Sequence, residues 1–518
     1  MSIKLFDTTL RDGTQREGVS LTAEDKARIA GALDSLGIDY IEAGFPASNP
    51  KDLEFFEGFD ASSLSHARLV AFTRARRPNG RAESDPAVTL LSSLSAPVAC
   101  IVAKSWKLHV EKVLRTTPEE NFESVRDTVT YLADADKEVI FDAEHYFDGF
   151  RDDPAYSLAV LRAAAEAGAT TLVLCDTNGG TLPTELKAVV ARTVREFPDV
   201  EVGIHTHNDS GCGVANALAA IEAGATHVQG TVNGIGERCG NCDLVTTIAN
   251  LQLKMGLMVM EEGELHRLTE VSNYVSELMN LTPDTHRPYV GRSAFAHKGG
   301  LHVDGISKDP ATYEHVAPGA VGNVRRTPVG ELSGKNSIRA KAEELGLEAG
   351  DATEILGAIK QREYEGYHYE AADASLALLI GRTTGEERPL FELETFRIIS
   401  EKRADGETTT EATIKLSVDG KRVISTAEGN GPVNALDRAL RKAIGPHYPE
   451  LKEIHLSNYK VRILDEHRAT AATTRVLIDS TDGKRMWGAV GVSENIIEAS
   501  WQALVDGLEY GVNGTKKP

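Results

Sequence analysis

At 518 residues the chain is too long for one ordinary core, and a prior of about one domain per 150 residues points to roughly three. Hydrophobic residues make up 41% and charged residues 26%, as in a globular protein in water, and no apolar run nears the ~20 residues of a membrane span. A net charge of −21 argues against nucleic acid or an anionic membrane as partner, although a buried site can still set a local field for a small anion.

From its first residues the chain, MSIKLFDTTL, reads as a strand and leaves no room for a charged and then apolar leader, so no signal peptide is expected. Eight short apolar runs follow one another: Ile3–Thr8, Tyr40–Phe45, Arg68–Thr73, Val98–Ala103, Glu138–Ala143, Thr171–Asp176, Glu201–Thr206 and His227–Val232. Amphipathic stretches such as TAEDKARIAGALDSLG separate them, many ending in the glycine of a helix C-cap. Eight βα units in about 250 residues predict a (β/α)8 TIM barrel over residues 1–270; an open doubly wound sheet usually has fewer strands in this length. Residues 271–370 read as a helical linker region broken by SAFAHKGGLHVDG. Residues 371–518 change to an α+β pattern with an internal repeat, each half running strand, DGKR turn, strand, glycine-containing loop and amphipathic helix. Five cysteines (Cys100, Cys175, Cys212, Cys239 and Cys242) are an odd, sparse set that fits free thiols in a reducing cytoplasm.

Polar residues gather just after the apolar runs: Arg11 and Asp12, Glu42, Glu144, Asp176 and Thr177, His205 and His207, Asn233 and Glu237. In a barrel these positions share the C-terminal mouth, where such folds build active sites. General loop polarity accounts for one or two such ends, less readily for six. In GIHTHND, His205 and His207 lie two apart on a strand and aim the same way, as a divalent metal requires and as chance also produces. Asp12 offers a hard oxygen ligand, or else a helix cap or a salt bridge with Arg11. Within GIGERCGNCD, Asn241 offers an amide oxygen on a loop whose glycines permit close approach. Two imidazoles, a carboxylate and an amide leave two cis positions on an octahedral ion. A 2-oxo acid fills both with its keto and carboxylate oxygens and is polarised by them. Mg²⁺, Mn²⁺ and Zn²⁺ all accept such mixed donors. Cys239 and Cys242 form a C-x-x-C without a second pair, which argues against zinc or redox chemistry. His302 reads equally as a proton-transfer group or a structural histidine.

In one order, DTTLRDGTQ (Asp7–Gln15), EAGFPASNPKD, CDTNGG, HTHND, NGIGERCGN, HKGGLHVDG and the SGK of Ser333–Lys335 resemble the 2-isopropylmalate, homocitrate and citramalate synthase family over nearly the whole chain. The FDGF after Glu144, the VQGTVNGIGERCGN stretch, and HVDG where isopropylmalate synthases tend to have HQDG resemble the branch that takes pyruvate. The resemblance implies a Claisen-type condensation of acetyl-CoA with a 2-oxo acid, and a metal held by Asp12, His205, His207 and Asn241. It implies that Arg11 stabilises oxyanion charge, that Glu144 takes part in deprotonating the acetyl methyl, and that Thr177 binds the acceptor carboxylate. Glu42 orients from behind. His302 and Tyr313 come from the linker to the partner's site in a homodimer. The C-terminal domain is implied to bind an end-product amino acid, isoleucine in the pyruvate branch and leucine in the isopropylmalate branch, or else only to dimerise. The runner-up activities are condensation with another 2-oxo acid, or cleavage by a related acyl-CoA lyase with Cys239 in its mobile loop. The acceptor tail is expected near Thr73, Ala103 and Asp142.

Overall fold

Residues 2–261, 263–330, 333–348, 350–385, 389–402, 404–465, 471–483 and 485–514 are described by the computed structural model. Strands β1 (Lys4–Asp7), β2 (Tyr40–Glu42), β3 (Arg68–Arg74), β4 (Val98–Lys104), β5 (Glu138–Glu144), β6 (Thr171–Asp176), β7 (Glu201–Thr206) and β8 (His227–Gly230) pair in parallel and in chain order. Strand β8 returns to β1, with Lys4 beside His227, and closes the barrel. Each expected run becomes a strand. The second stops three residues early, because Gly44 takes φ +156 against Asp52 and the Asp52 carboxylate captures the Phe45 N–H at 2.9 Å.

Several helices between the strands start at capping side chains. Thr22 and Asp25 form a reciprocal capping box, and Thr117 before Pro118 accepts from the Glu120 N–H. The period-2 pleat then sorts the strand residues. Leu5, Ile41, Leu69, Ala99, Phe141, Leu172, Ile204 and Val228 face outward into the main core under the helices. Phe6, Tyr40, Val70, Phe72, Val98, Cys100, Ile140, Val173 and Cys175 face inward and fill the barrel. Burying each large apolar side chain stabilises the fold by roughly 1.5–3 kcal/mol. On the barrel floor His227 is fully buried, its ring centroid 5.3 Å from that of Phe6 and 5.7 Å from that of Tyr40.

The chain divides into two units, Met1–Phe295 with Val316–Val324, and Ala296–His315 with Arg325–Pro518. The stretch expected as a linker is therefore shared between them. In the second unit β9 (Glu392–Lys402), β10 (Thr408–Val418) and β11 (Lys421–Gly429) form one antiparallel sheet. A second antiparallel sheet is built from β12 (His455–Ile463), β13 (Thr474–Thr481) and β14 (Met486–Ser493). Helix Pro432–Ile444 backs the first sheet and Ile496–Gly514 the second, so the internal repeat is a repeated sheet-and-helix layout. Asp419 and Gly420, at φ +51 and +74, make the two-residue turn between β10 and β11. In the matching turn Lys484 lies outside the described residues. Ile414, Leu416, Leu436 and Leu440 share a core with Val476, Ile478, Leu504 and Leu508. A further core packs Ile338, Ile355, Ile359, Leu376 and Ile380 against Val490 and Val492 of β14. Among the described residues no helix is long and apolar enough to cross a membrane.

Candidate active site

The inward parity of the strands carries polar side chains to the mouth above the apolar floor. On β5 Ile140 belongs to the floor, so Asp142 and Glu144 follow on the same face; on β7 the same parity aims His205 inward, with His207 just beyond it. A cavity of about 580 Å³ opens there, walled by Arg11, Asp12, Phe72, Arg74, Lys104, Asp142, Glu144, Thr177, His205 and His207 among others. Thr73 turns away, and its neighbours Phe72 and Arg74 form the wall in its place.

Asp12, His205 and His207 bring one donor atom each to within 4.8 Å of one another, all three buried. The His205 Nε2 lies 3.3 Å from Asp12 Oδ2 and 3.4 Å from His207 Nε2. The other nitrogen of His205, Nδ1, meets Gln229 Oε1 at 2.9 Å, while the Gln229 amide donates to Asp142 Oδ1 at 3.0 Å. A glutamine oxygen can only accept, so Nδ1 carries the proton and the Nε2 lone pair faces the cluster. Asn241 Nδ2 donates to Asp12 Oδ2 at 2.9 Å and lies 3.3 Å from His205 Nε2, while its buried Oδ1 has no hydrogen-bond partner among the described residues. Exchanging the two ends of that amide would turn its oxygen toward Asp12 and His205. Converging lone pairs of this kind are reconciled by a cation. The donor set of carboxylate, two imidazoles and an amide fits a divalent metal such as Mg²⁺, Mn²⁺ or Zn²⁺.

The loop after β8 delivers Asn241. Its N–H bonds to the Gly234 carbonyl at 3.1 Å, and Gly240 sits at φ +89 where a Cβ would strike that same carbonyl. In this loop Cys239 is exposed, whereas Cys242 is buried with its sulfur 3.1 Å from Thr247 Oγ1. All five cysteines are free.

Arg11 is fixed on two sides. Its Nε donates to Glu42 Oε2 at 2.7 Å and its guanidinium carbon lies 4.1 Å from the Phe72 ring centroid, with an Nη1 3.5 Å from Asp12. Glu42 is fully buried, also accepts from Thr8 Oγ1 at 2.5 Å, and stands behind Arg11 instead of on the cavity wall. Burial opposes charge on Asp12, but Arg11 and then the two histidines hold its carboxyl well below the usual range. Burial, followed by the nearby Glu42 charge, pushes Asp142 up to about 6. Burial and then His205 lower His207 to about 4, which keeps this imidazole neutral.

Opposite the cluster, Lys104 forms a close ion pair with Glu144. Thr177 Oγ1 accepts the His145 N–H at 2.9 Å, leaving its own hydroxyl proton for the cavity. His302 and Tyr313 lie in the second unit, where their rings stack at 4.1 Å on an exposed face. Gln229 and Lys104 were not singled out from sequence. Lys104 directly follows an apolar run at inward parity, a signal the sequence offers; Gln229 shares its face with His227, and its role shows only through its contacts to His205 and Asp142.

The HMGL-like family matches residues 2–275, the homocitrate synthase post-HMGL domain-like family residues 289–364, and the LeuA allosteric (dimerisation) domain residues 370–512. An (R)-citramalate synthase of Aquifex aeolicus is 50% identical, over 98% of this chain and 97% of its own. One from Streptomyces coelicolor is 51% identical, over 99% and 97%. A 2-isopropylmalate synthase of Shouchella clausii is 32% identical, over 97% and 95%.

Proposed function

Because the chain belongs to the HMGL-like family and, within it, to the (R)-citramalate synthases, we propose that its barrel cavity joins the acetyl methyl carbon of acetyl-CoA to the keto carbon of pyruvate. Hydrolysis of the resulting thioester releases citramalate and CoA. The chain is an acetyl-CoA-using condensing enzyme, a transferase that turns an acyl group into an alkyl group. The convergence of Asp12, His205 and His207 beside the doubly held Arg11 is the observation that supports this cavity as the place of reaction.

Asp12, His205, His207 and Asn241 would hold a divalent cation, which when bound polarises a keto carbonyl as a Lewis acid. The chain's own groups do the rest. Arg11 points its remaining donors into the cavity and stabilises the oxyanion as the acetyl enolate forms and adds. Glu42 orients that guanidinium from behind. Glu144, steered by Lys104, takes part in removing the methyl proton, and the Thr177 hydroxyl donates to the acceptor carboxylate. In a homodimer, His302 and Tyr313 complete the partner's site. The match to a LeuA allosteric (dimerisation) domain supports an amino-acid effector there, and isoleucine is the natural one for a route starting with citramalate. Five free cysteines support a reducing, cytoplasmic setting.

Release of free CoA thiol should be measured with pyruvate, 2-oxoisovalerate and 2-oxoglutarate side by side. Pyruvate should give the highest kcat/KM. One methyl group in an apolar pocket is worth only about 1–3 kcal/mol of discrimination, so a faster rate with 2-oxoisovalerate would transfer the chain to the isopropylmalate branch.

A further inference from the structure

The segment RARRPNGR after β3 places four arginines, Arg74, Arg76, Arg77 and Arg81, within eight residues of a chain whose net charge is −21. Two of them are structural. Arg74 makes paired contacts to Asp85 at 3.0 and 3.3 Å, and buried Arg76 is locked to Glu120 at 2.7 Å and Asp127 at 2.6 Å. The other two differ. Arg77 is exposed, and among the described residues no carboxylate pairs with its guanidinium; Arg81 meets only Glu83, in a pair exposed to solvent on both sides. Such exposed pairs are weak and readily exchanged.

Beside them runs a groove of about 740 Å³ that shares Phe45, Arg74 and Arg77 with the reaction cavity. Its one acidic wall residue, Asp85, is already spent on Arg74, so Arg77 brings unpaired positive charge to the groove and Arg81 a charge held only by the solvent-exposed Glu83. Leu53, Pro86 and Leu90 supply an apolar side. A strongly anionic protein repels an anionic ligand except where cations are concentrated. Guanidinium groups suit phosphate oxygens, which they bind through paired donors.

We propose that this groove binds the nucleotide end of the acyl carrier, with Arg77 and Arg81 on its phosphates and the purine against the apolar side. The reading rests on acetyl-CoA being the substrate of the adjoining cavity. It assigns Arg77, on the shared wall, to the phosphates nearer the reacting thioester, and Arg81 to those farther out.

The test compares the wild type with Arg77→Ala, Arg81→Ala and the double variant on acetyl-CoA and on S-acetylpantetheine, which lacks the nucleotide. The double variant should raise the KM for acetyl-CoA roughly 10- to 100-fold, as expected for two lost charge-assisted contacts. The KM for S-acetylpantetheine should stay at the wild-type value. Equal weakening of both thioesters, or no change with acetyl-CoA, overturns the proposal. Titration calorimetry with adenosine 3′,5′-bisphosphate provides a readout free of turnover: binding to the wild type that is lost in the double variant supports the groove, and undiminished binding overturns it. A wild type that takes up the bisphosphate but releases no CoA from acetyl-CoA with any 2-oxo acid would fail the activity reading and leave the groove standing.

Discussion

Gln229 holds His205 from behind: its side-chain oxygen lies 2.9 Å from the imidazole Nδ1, and its amide is anchored in turn on Asp142 at 3.0 Å. This contact selects the tautomer whose free lone pair faces Asp12 and His207. Replacing Gln229 by Leu removes the acceptor while keeping the bulk. Affinity for Mn²⁺ should fall about 10- to 100-fold, as when other outer partners of metal ligands are lost. Titration calorimetry reads this directly, and unchanged affinity would show that packing alone orients the imidazole.

Arg11→Lys should lower kcat about 10²-fold or more. A lysine keeps the charge but has one nitrogen where the guanidinium divides its contacts between Glu42 and the cavity. Steady-state CoA release at saturating pyruvate measures the effect, and circular dichroism checks the fold. Near-wild-type turnover would remove Arg11 from the role given to it.

Gly240→Ala should cost metal affinity more than it costs the barrel. The residue sits at φ +89 and faces the Gly234 carbonyl, so a Cβ forces the next residue, Asn241, out of place. The expected result is at least about tenfold weaker Mn²⁺ binding, with a thermal transition that remains cooperative.

His227 makes the barrel floor sensitive to acid. Burial lowers its pKa from the model-peptide value of 6.5 to about 4, and among the described residues neither ring nitrogen has a hydrogen-bond partner. Above 6.5 folded and unfolded chains both carry the neutral ring, and its contribution is fully present. As pH falls from 6.5 toward 4 the unfolded chain takes up a proton that the folded chain refuses, so stability drops, by roughly 3 kcal/mol over the window. Urea unfolding at pH 7 and 4.5 should show this loss in the wild type and a smaller one in His227→Phe. Parallel losses in both proteins would assign the sensitivity to other groups.

A chain stopped at residue 370 should not retain an intact linker region. The cut removes Leu376, Ile380, Val490 and Val492 from the core they share with Ile338, Ile355 and Ile359. Increased binding of a hydrophobic dye and rapid proteolysis within 335–364 are expected. Isoleucine sensitivity is therefore better tested in the full chain by single replacements in the C-terminal sheets. A truncated chain with the proteolytic resistance of the whole would contradict the shared core.

The barrel is legible from residues because each inward and outward strand face leaves an apolar run, and eight such runs of even spacing allow few folds. The clustered donors are legible because HTHND fixes two imidazoles on one face without reference to any neighbour. Parity across strands is different. Thr73, Phe72 and Arg74 are consecutive, and only the closure of the sheet decides that Phe72 and Arg74 line the cavity. Gln229 was hidden for the same reason, since its importance lies in Asp142 and His205, residues 87 and 24 positions away. Arg77 and Arg81 stand out from Arg74 and Arg76 only after the less exposed carboxylates that hold the latter pair are seen, Arg81 having only an exposed partner in Glu83.

The candidate cation donors come from the turn after β1, the end of β7 and the loop after β8, whereas Phe72, Arg74, Val102, Lys104 and Asp142 line the cavity from β3, β4 and β5. The candidate metal ligands and most of the remaining cavity wall are thus encoded on opposite arcs of one ring. Such a division lets substitutions at wall positions such as Phe72 and Val102 explore new acceptors while the metal-ligand arc stays untouched, a route by which sister enzymes with different 2-oxo acids could diverge without passing through an inert ancestor.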